Sequence, residues 1–181
     1  MNKSLLLVVL VSACMNTLSA QKVIARQGQV AFFSYTPVEN IKAANNQVLS
    51  IIDLDNNNIA VSMLMNAFIF EKAMMREHFN ESYVESDIFP KATFEGTILG
   101  YEPMGDDIQT RMIDGVFTMH GKSKNLEIKT KIQKVDNTFV LTGDFMVTVA
   151  DYSINIPPLL AGNIADNVTV DFKFQFEPYE E

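Results

Sequence analysis

From Asn167 to Pro178 the chain reads NVTVDFKFQFEP, with Val168, Val170, Phe172, Phe174 and Phe176 on one parity and Thr169, Asp171, Lys173, Gln175 and Glu177 on the other. Alternation of that length predicts a strand with one dry and one wet face. TFVLTGDFMVTV (138–149) repeats it through Phe139, Leu141, Phe145, Val147 and Val149, and Gly143 interrupts it where a bend or a close approach is expected. Six further stretches read the same way: 29–36, 46–55, 58–67, 91–101, 108–120 and 125–135, for a total of eight strands. Turn chemistry falls between them, at Asp55 to Asn58, Gly105-Asp106-Asp107, His120-Gly121-Lys122-Ser123 and Asp136-Asn137.

Two segments break the alternation. PVENIKAAN (37–45) predicts a short helix with Pro37 in its first turn. FEKAMMREHFNESYVESD (70–87) sets Phe70, Met74 and His78 four apart, and likewise Met75 and Phe79, which predicts a helix with an apolar stripe. Eight antiparallel strands with one apolar face either close into a barrel or stack as a sandwich. The bulk of Phe32, Met63, Met65, Phe94, Phe117, Phe145, Phe172 and Phe174 on the inward parity favours an all-β, eight-stranded antiparallel barrel, with one or two short helices closing its ends. Such a barrel is filled by its own side chains or holds one small ligand, and the pattern fits both.

At 181 residues and 48% hydrophobic content the chain is long enough and apolar enough for one domain with its own core, and it shows no repeat or linker. Its net charge of −8, with cations isolated or in alternating pairs such as Lys122, Lys124, Lys129 and Lys131, argues against a nucleic-acid partner. The first residues, MNKSLLLVVLVSACMNTLSA, place one cation, Lys3, before an apolar run from Leu5 to Val11 and then small residues, the anatomy of an export signal. That run is shorter than the about 20 residues a membrane-spanning helix needs. Two processing points compete. Leu18-Ser19-Ala20 is a small-residue cleavage signal, whereas Val11-Ser12-Ala13-Cys14 resembles a lipobox that would anchor the protein through Cys14. The first is favoured because it lies just before the first strand-like segment, so residues 1–20 are expected to be a signal peptide and 21–181 a single exported domain. Cleavage there removes Lys3 and Cys14, takes the net charge from −8 to −9, and leaves no disulfide to add stability.

MREHFNESYVESDIFPKATFEG (75–96) gathers His78 and Asn80 with Glu77, Glu81, Glu85, Asp87 and Glu95. These are the parts of acid/base catalysis, and a small envelope enzyme using His78 with Glu81 or Asp87 is the alternative function. Nothing in the sequence desolvates a carboxylate, which is what would raise its pKa toward neutrality. No Gly-x-Ser-x-Gly elbow occurs, the one cysteine is Cys14, and His78 and His120 stand apart with no His-Glu-x-x-His spacing. The reading is therefore a protein that is not an enzyme and that carries no metal and no cofactor.

The stretch EHFNESYVESDIFPKATFEG resembles the signature of the YceI-like family, in which a helix ending in His-Leu or His-Phe leads through an Asp-x-Phe/Tyr-Pro turn into a strand with a central Phe. VAFFSYTPVENIKAANNQVLSIIDLD, DGVFTMHGKSKNLEI and ADYSINIPPLLAGNIADNVTVDFKF fit the same family in the same order. An Arg-Asp pair often precedes the family histidine; here Arg76-Glu77 stands in its place. The resemblance implies a lipocalin-like barrel with an apolar tunnel for polyisoprenoid or other long-chain amphiphiles, periplasmic localisation, a homodimer as in several members, and transient contact with a membrane. Implied with it is a wall and lid role for His78, Phe79, Tyr83 and Phe89, with the carboxylates outside. The expected ligand-binding set is Phe32, Met63, Met65, Phe70, Met74, His78, Phe79, Tyr83, Phe94, Phe117, Phe145, Tyr152, Phe172 and Phe174. His78, Tyr83 and Tyr152 are the expected partners of a head group, because each joins an apolar body to a polar tip. The expected function is binding, storage or transport of an isoprenoid or fatty-acyl lipid, and a filled, ligand-free interaction or stress module is the remaining reading.

Overall fold

Strands with one dry face leave two unpaired edges unless the sheet closes on itself. The computed structural model describes residues 22–37, 39–102, 107–136, 138–156 and 164–179, and in it the sheet closes. The strands are β1 (Lys22–Ser34), β2 (Ile41–Asp53), β3 (Asn58–Leu64), the two-residue β4 (Ile69–Phe70), β5 (Lys91–Ile98), β6 (Gln109–Met119), β7 (Lys122–Val135), β8 (Thr138–Thr148) and β9 (Asn167–Pro178). Eight of them pair antiparallel around a closed barrel, with β9 returning to β1, while β4 hangs on β2. Between β4 and β5 lie helix α1 (Ala73–His78) and a π-helical turn, Phe79–Tyr83.

The all-β barrel expected from the alternation is the fold observed. β9 covers the predicted residues end to end, and β8 stops one short of the reading. The helix expected at 37–45 is not there. Ile41 already begins β2, in which Ala43 and Asn45 are buried while Lys42 and Asn46 are exposed. Pairing of Ala43 with Phe32 and of Lys42 with Phe33 on β1 overrides the weak helical preference of Ala, Lys and Glu. The helix expected over 70–87 is reduced to α1 and its π turn, since Phe70 belongs to β4 and residues after Tyr83 form turns.

The turn residues act as their chemistry predicts. His120 and Gly121, at φ of 50° and 69°, make a two-residue hairpin between Met119 and Lys122, so Lys122 and Ser123 belong to β7. The Asp53 carboxylate accepts hydrogen bonds from the Asp55 and Asn56 amides, and Asn57 takes a left-handed φ of 58° to return the chain into β3. Asn45, fully buried, marks the place where β2 exchanges one neighbour for another. Its Nδ2 donates to the Leu64 carbonyl at the end of β3 and its Oδ1 accepts from the Gln47 amide, which replaces ladder bonds that the departing strand no longer makes. The predicted signal segment 1–20, with the choice between Ala20 and Cys14, and the turn residues Gly105, Asp106 and Asn137 lie outside the described residues.

One half of the barrel is filled. Ile98, Ile113, Ile128, Ile132, Leu141, Phe174 and Phe176 are buried there, and phenyl rings occupy the space beside glycines. Gly96 and Gly115 face each other across β5 and β6 with the Phe94 ring over both: a Cβ on Gly115 would lie 2.5 Å from that ring. Phe172 lies in the same way on Gly143, and Phe174 on Gly28 in the bulged part of β1.

Candidate functional site

The other half of the barrel holds a cavity of about 560 Å³. Its wall runs from Val30, Phe32 and Ser34 on β1 through Met63 on β3 and Phe117 and Met119 on β6 to Phe145 and Val147 on β8 and Val168 and Val170 on β9. These positions sit at the strand ends that share one mouth, and the lid from Lys72 to Val84 crosses that mouth. Phe79 holds the lid down. Its ring stacks on Phe32 at 5.6 Å and meets Phe70 and Phe68 at 5.0 and 5.6 Å, whereas no residue of α1 or of the π turn is buried outright. Met63, Met65, Met74, Met75 and Met119 supply a wall of unbranched, adaptable side chains.

Among the described residues only Ser34, Glu39, Lys72, His78 and Tyr83 bring nitrogen or oxygen side-chain atoms to this wall. Lys72 and Glu39 are ion-paired, which ties the start of the lid to the loop between β1 and β2. The Ser34 hydroxyl accepts a hydrogen bond from the Ala165 amide at 3.2 Å. Burial raises the pKa of the Tyr83 phenol above its ordinary value, and the protonated phenol can donate a hydrogen bond.

Ten of the expected wall residues line the cavity: Phe32, Met63, Met65, Phe70, Met74, His78, Phe79, Tyr83, Phe117 and Phe145. Phe94, Phe172 and Phe174 do not; they surround a separate void of about 30 Å³ in the filled half. Tyr152 is also off the wall. It is 2% exposed, packs edge-on against Phe117, and has its pKa raised to about 12 by burial and by the neighbouring Asp151 charge. Phe89 is not part of the lid, because its ring lies on His120 at 4.5 Å and against Gly121. Sequence reasoning missed the small aliphatic wall, Val147, Val149, Val168 and Val170, although their parity marked them as inward; bulk alone was the criterion. It also missed Phe68, the extended residue that ends the 3-10 turn Met65–Ala67 after β3, where neither period applies.

The acidic stretch resolves into one specific pair. His120 is nearly buried, and its Nδ1 lies 2.8 Å from the Tyr152 carbonyl while its Nε2 lies 2.8 Å from Glu85 Oε2. Both partners are acceptors, so an imidazole carrying both ring protons donates to each. The staple joins the β6–β7 hairpin, the segment after β8 and the turn that ends the lid, where Glu85 sits at a left-handed φ of 46°. His78 is exposed and, among the described residues, makes no hydrogen bond or ion pair; Glu77, Glu81, Asp87 and Glu95 are exposed as well. Among the described residues no three His, Cys, Asp or Glu side chains gather as metal ligands, and no helix is long and apolar enough to cross a membrane.

Solved structures share this architecture. A polyisoprenoid binding domain from Saccharophagus degradans superposes with a TM-score of 0.76 at 13% identity, covering 89% of this chain and 100% of that one. BcnA of Burkholderia cenocepacia superposes at 0.69 with 15% identity over 82% and 95% of the two chains, and the YCEI protein of Campylobacter jejuni at 0.63 with 15% identity over 81% and 90%. At those identities the likeness establishes the fold alone. No curated protein matches the chain in sequence. The profile of the YceI-like domain matches residues 22–176, from the first residue of β1 to within two residues of the end of β9. A match over that much of the barrel settles the family: the chain belongs to the YceI-like proteins.

Proposed function

We propose that the protein binds one long-chain amphiphilic lipid, isoprenoid or fatty-acyl, with its tail in the barrel cavity and its head group at the lidded mouth. The observation that carries this is the cavity itself, about 560 Å³ with apolar walls and its few polar side chains near the mouth. A void of that size lies within the range of small-ligand sites, and each methylene moved into it from water contributes about 0.8 kcal/mol before binding costs. Membership of the YceI-like family, and the polyisoprenoid binding named for the Saccharophagus degradans domain, support the same class of ligand. Binding also accounts better than catalysis for the histidines: His78 has no carboxylate partner among the described residues, and His120, which has one, is bonded on both nitrogens and packed under Phe89.

The amino-terminal signal pattern supports export, and a periplasmic carrier or store of lipid is the role that fits it. Exposed Tyr35 and Ile69 flank wall residues at the mouth, where the wall residue Met74 is itself exposed, and the three support a transient contact with a membrane during exchange. The family resemblance supports a homodimer, which sedimentation of the mature chain measures. The ligand test is direct. The protein is purified from its native envelope without detergent, extracted with organic solvent, and the extract analysed by mass spectrometry. One long-chain species at near one per chain or per dimer is expected. An empty extract, together with no thermal shift on adding isoprenoid quinones or fatty acids, would overturn the reading.

A further inference from the structure

Among the described residues the large cavity ends on a floor dominated by two aromatic side chains, so the barrel is a cup. Phe117 and Phe145, with Val30 and Met63 beside them, line both the large cavity and the small void beneath it, so these four stand between the two, and the two rings are the largest of them. The rings meet edge to face at 5.6 Å, and each is held from behind. Phe117 is 4% exposed and packs on buried Tyr152; Phe145 leans on Phe172, which stacks on Phe174 at 5.3 Å. Phe172 and Phe174 have little freedom to retreat, because they rest in the space left by Gly143 and Gly28, where a Cβ would come within 2.6 and 2.3 Å of the rings. A tail entering from the mouth therefore stops at Phe117 and Phe145.

We propose that this floor sets the length of the ligand: the chain takes a single apolar tail of about 15 to 20 carbons, from the share of roughly 30 Å³ per water-sized group, and Phe145 is the residue that fixes the limit. Saturated acyl chains and prenyl chains of about four isoprene units share that property. An eight-unit prenyl chain would leave half its length in water, where the additional carbons contribute no burial. The proposal rests on the lipid-binding reading above and narrows it.

The experiment titrates the mature, delipidated protein with saturated fatty acids of about 10 to 24 carbons and with prenyl alcohols of three, four and eight isoprene units. Affinity is expected to rise about fourfold per added carbon, the equivalent of about 0.8 kcal/mol, and to level off between about 15 and 20 carbons. The eight-unit prenol is expected to bind no more tightly than the four-unit one. In Phe145→Ala the cavity gains the ring's volume and opens onto the lower void, so the plateau moves several carbons longer; Phe145→Leu is the milder variant should the first fail to fold. Affinity that keeps climbing to the eight-unit prenol in the unaltered protein overturns the length limit and leaves lipid binding intact. A plateau in the expected place that Phe145→Leu and Phe145→Ala both leave unmoved overturns the assignment to Phe145. Failure of every probe to bind overturns lipid binding, and the length limit with it.

Discussion

Gly115 has no room for a methyl group. A Cβ there would lie 2.5 Å from both the Glu95 carbonyl oxygen and the Phe94 ring, and 2.8 Å from the Gly96 Cα across the ladder. Neither the backbone nor a ring buried at 7% exposure can yield cheaply. Gly115→Ala is expected to cost about 1–3 kcal/mol by overpacking, read as a lower urea midpoint with unchanged slope. The sequence marked one such position, Gly143 within its alternating run; the partners that need the other glycines come from different strands, so their role becomes visible only when the register is known. Tyr152 is a second residue whose burial has a measurable consequence. Its phenol is held to about 12 in the folded protein by burial and by Asp151, against about 10 in an unfolded chain. Between those values the unfolded state gives up its proton and the folded state keeps it. Stability from this group is therefore complete below about pH 10 and declines as pH rises toward about 12. Tyr152→Phe should remove that part of the alkaline decline while the ring still packs on Phe117, and ultraviolet titration should find one tyrosine ionising late in the unaltered protein.

The lid is the element that sequence periodicity read least well. Phe70, Met74, Met75, His78 and Phe79 do all meet the cavity, as the apolar stripe implied. The helix that carries Met74, Met75 and His78 is six residues long, with no side-chain cap on its first turn, while Phe70 belongs to β4 before it and Phe79 to the π turn after it. An isolated helix of that length has no stability of its own. Its position comes from contacts that periodicity does not encode: Phe79 against Phe32, Phe68 and Phe70 beneath it, Lys72 on Glu39 at its start, and Glu85 on His120 just past its end. The first of these is the largest apolar contact and the pair at the start is exposed, so Phe79 outweighs the ion pair. Phe79→Ala is expected to speed amide exchange across residues 73–83 by about tenfold or more while lowering global stability by only about 1–2 kcal/mol, because the barrel strands do not depend on the lid. Lipid dissociation should quicken in step. Equal protection in the variant and the parent would mean that the two polar tethers hold the lid unaided.

The molecule divides its interior between stability and ligand, and that division was only partly readable in the chain. Alternation located the eight strands and the inward faces, and on these the barrel followed. It could not tell filled from hollow, because Phe145 and Phe174 share the inward parity while one borders the cavity and the other is sealed beneath it. The difference is set by height along the barrel, which depends on strand stagger and on which glycines let rings lie flat. This arrangement makes a prediction about loading. The filled half buries most of the large side chains and should open only with global unfolding, whereas the mouth half, with fewer contacts above the floor, should open locally. A bound tail adds contacts to the mouth half alone. Hydrogen exchange of loaded against delipidated protein should therefore slow beyond the global effect at Phe32 to Ser34, Phe70 to Val84, Phe117 to Met119 and Phe145 to Val147, and by the global effect alone near Val23 to Ala25 and Phe174 to Phe176. At ligand concentrations about a hundredfold above Kd the global unfolding free energy should rise by about 2.7 kcal/mol, which lengthens the slowest exchange times everywhere by the same factor. Local slowing that extends below Phe117 and Phe145 would show the tail passing the floor; a uniform effect with no local component would place the ligand outside the cup.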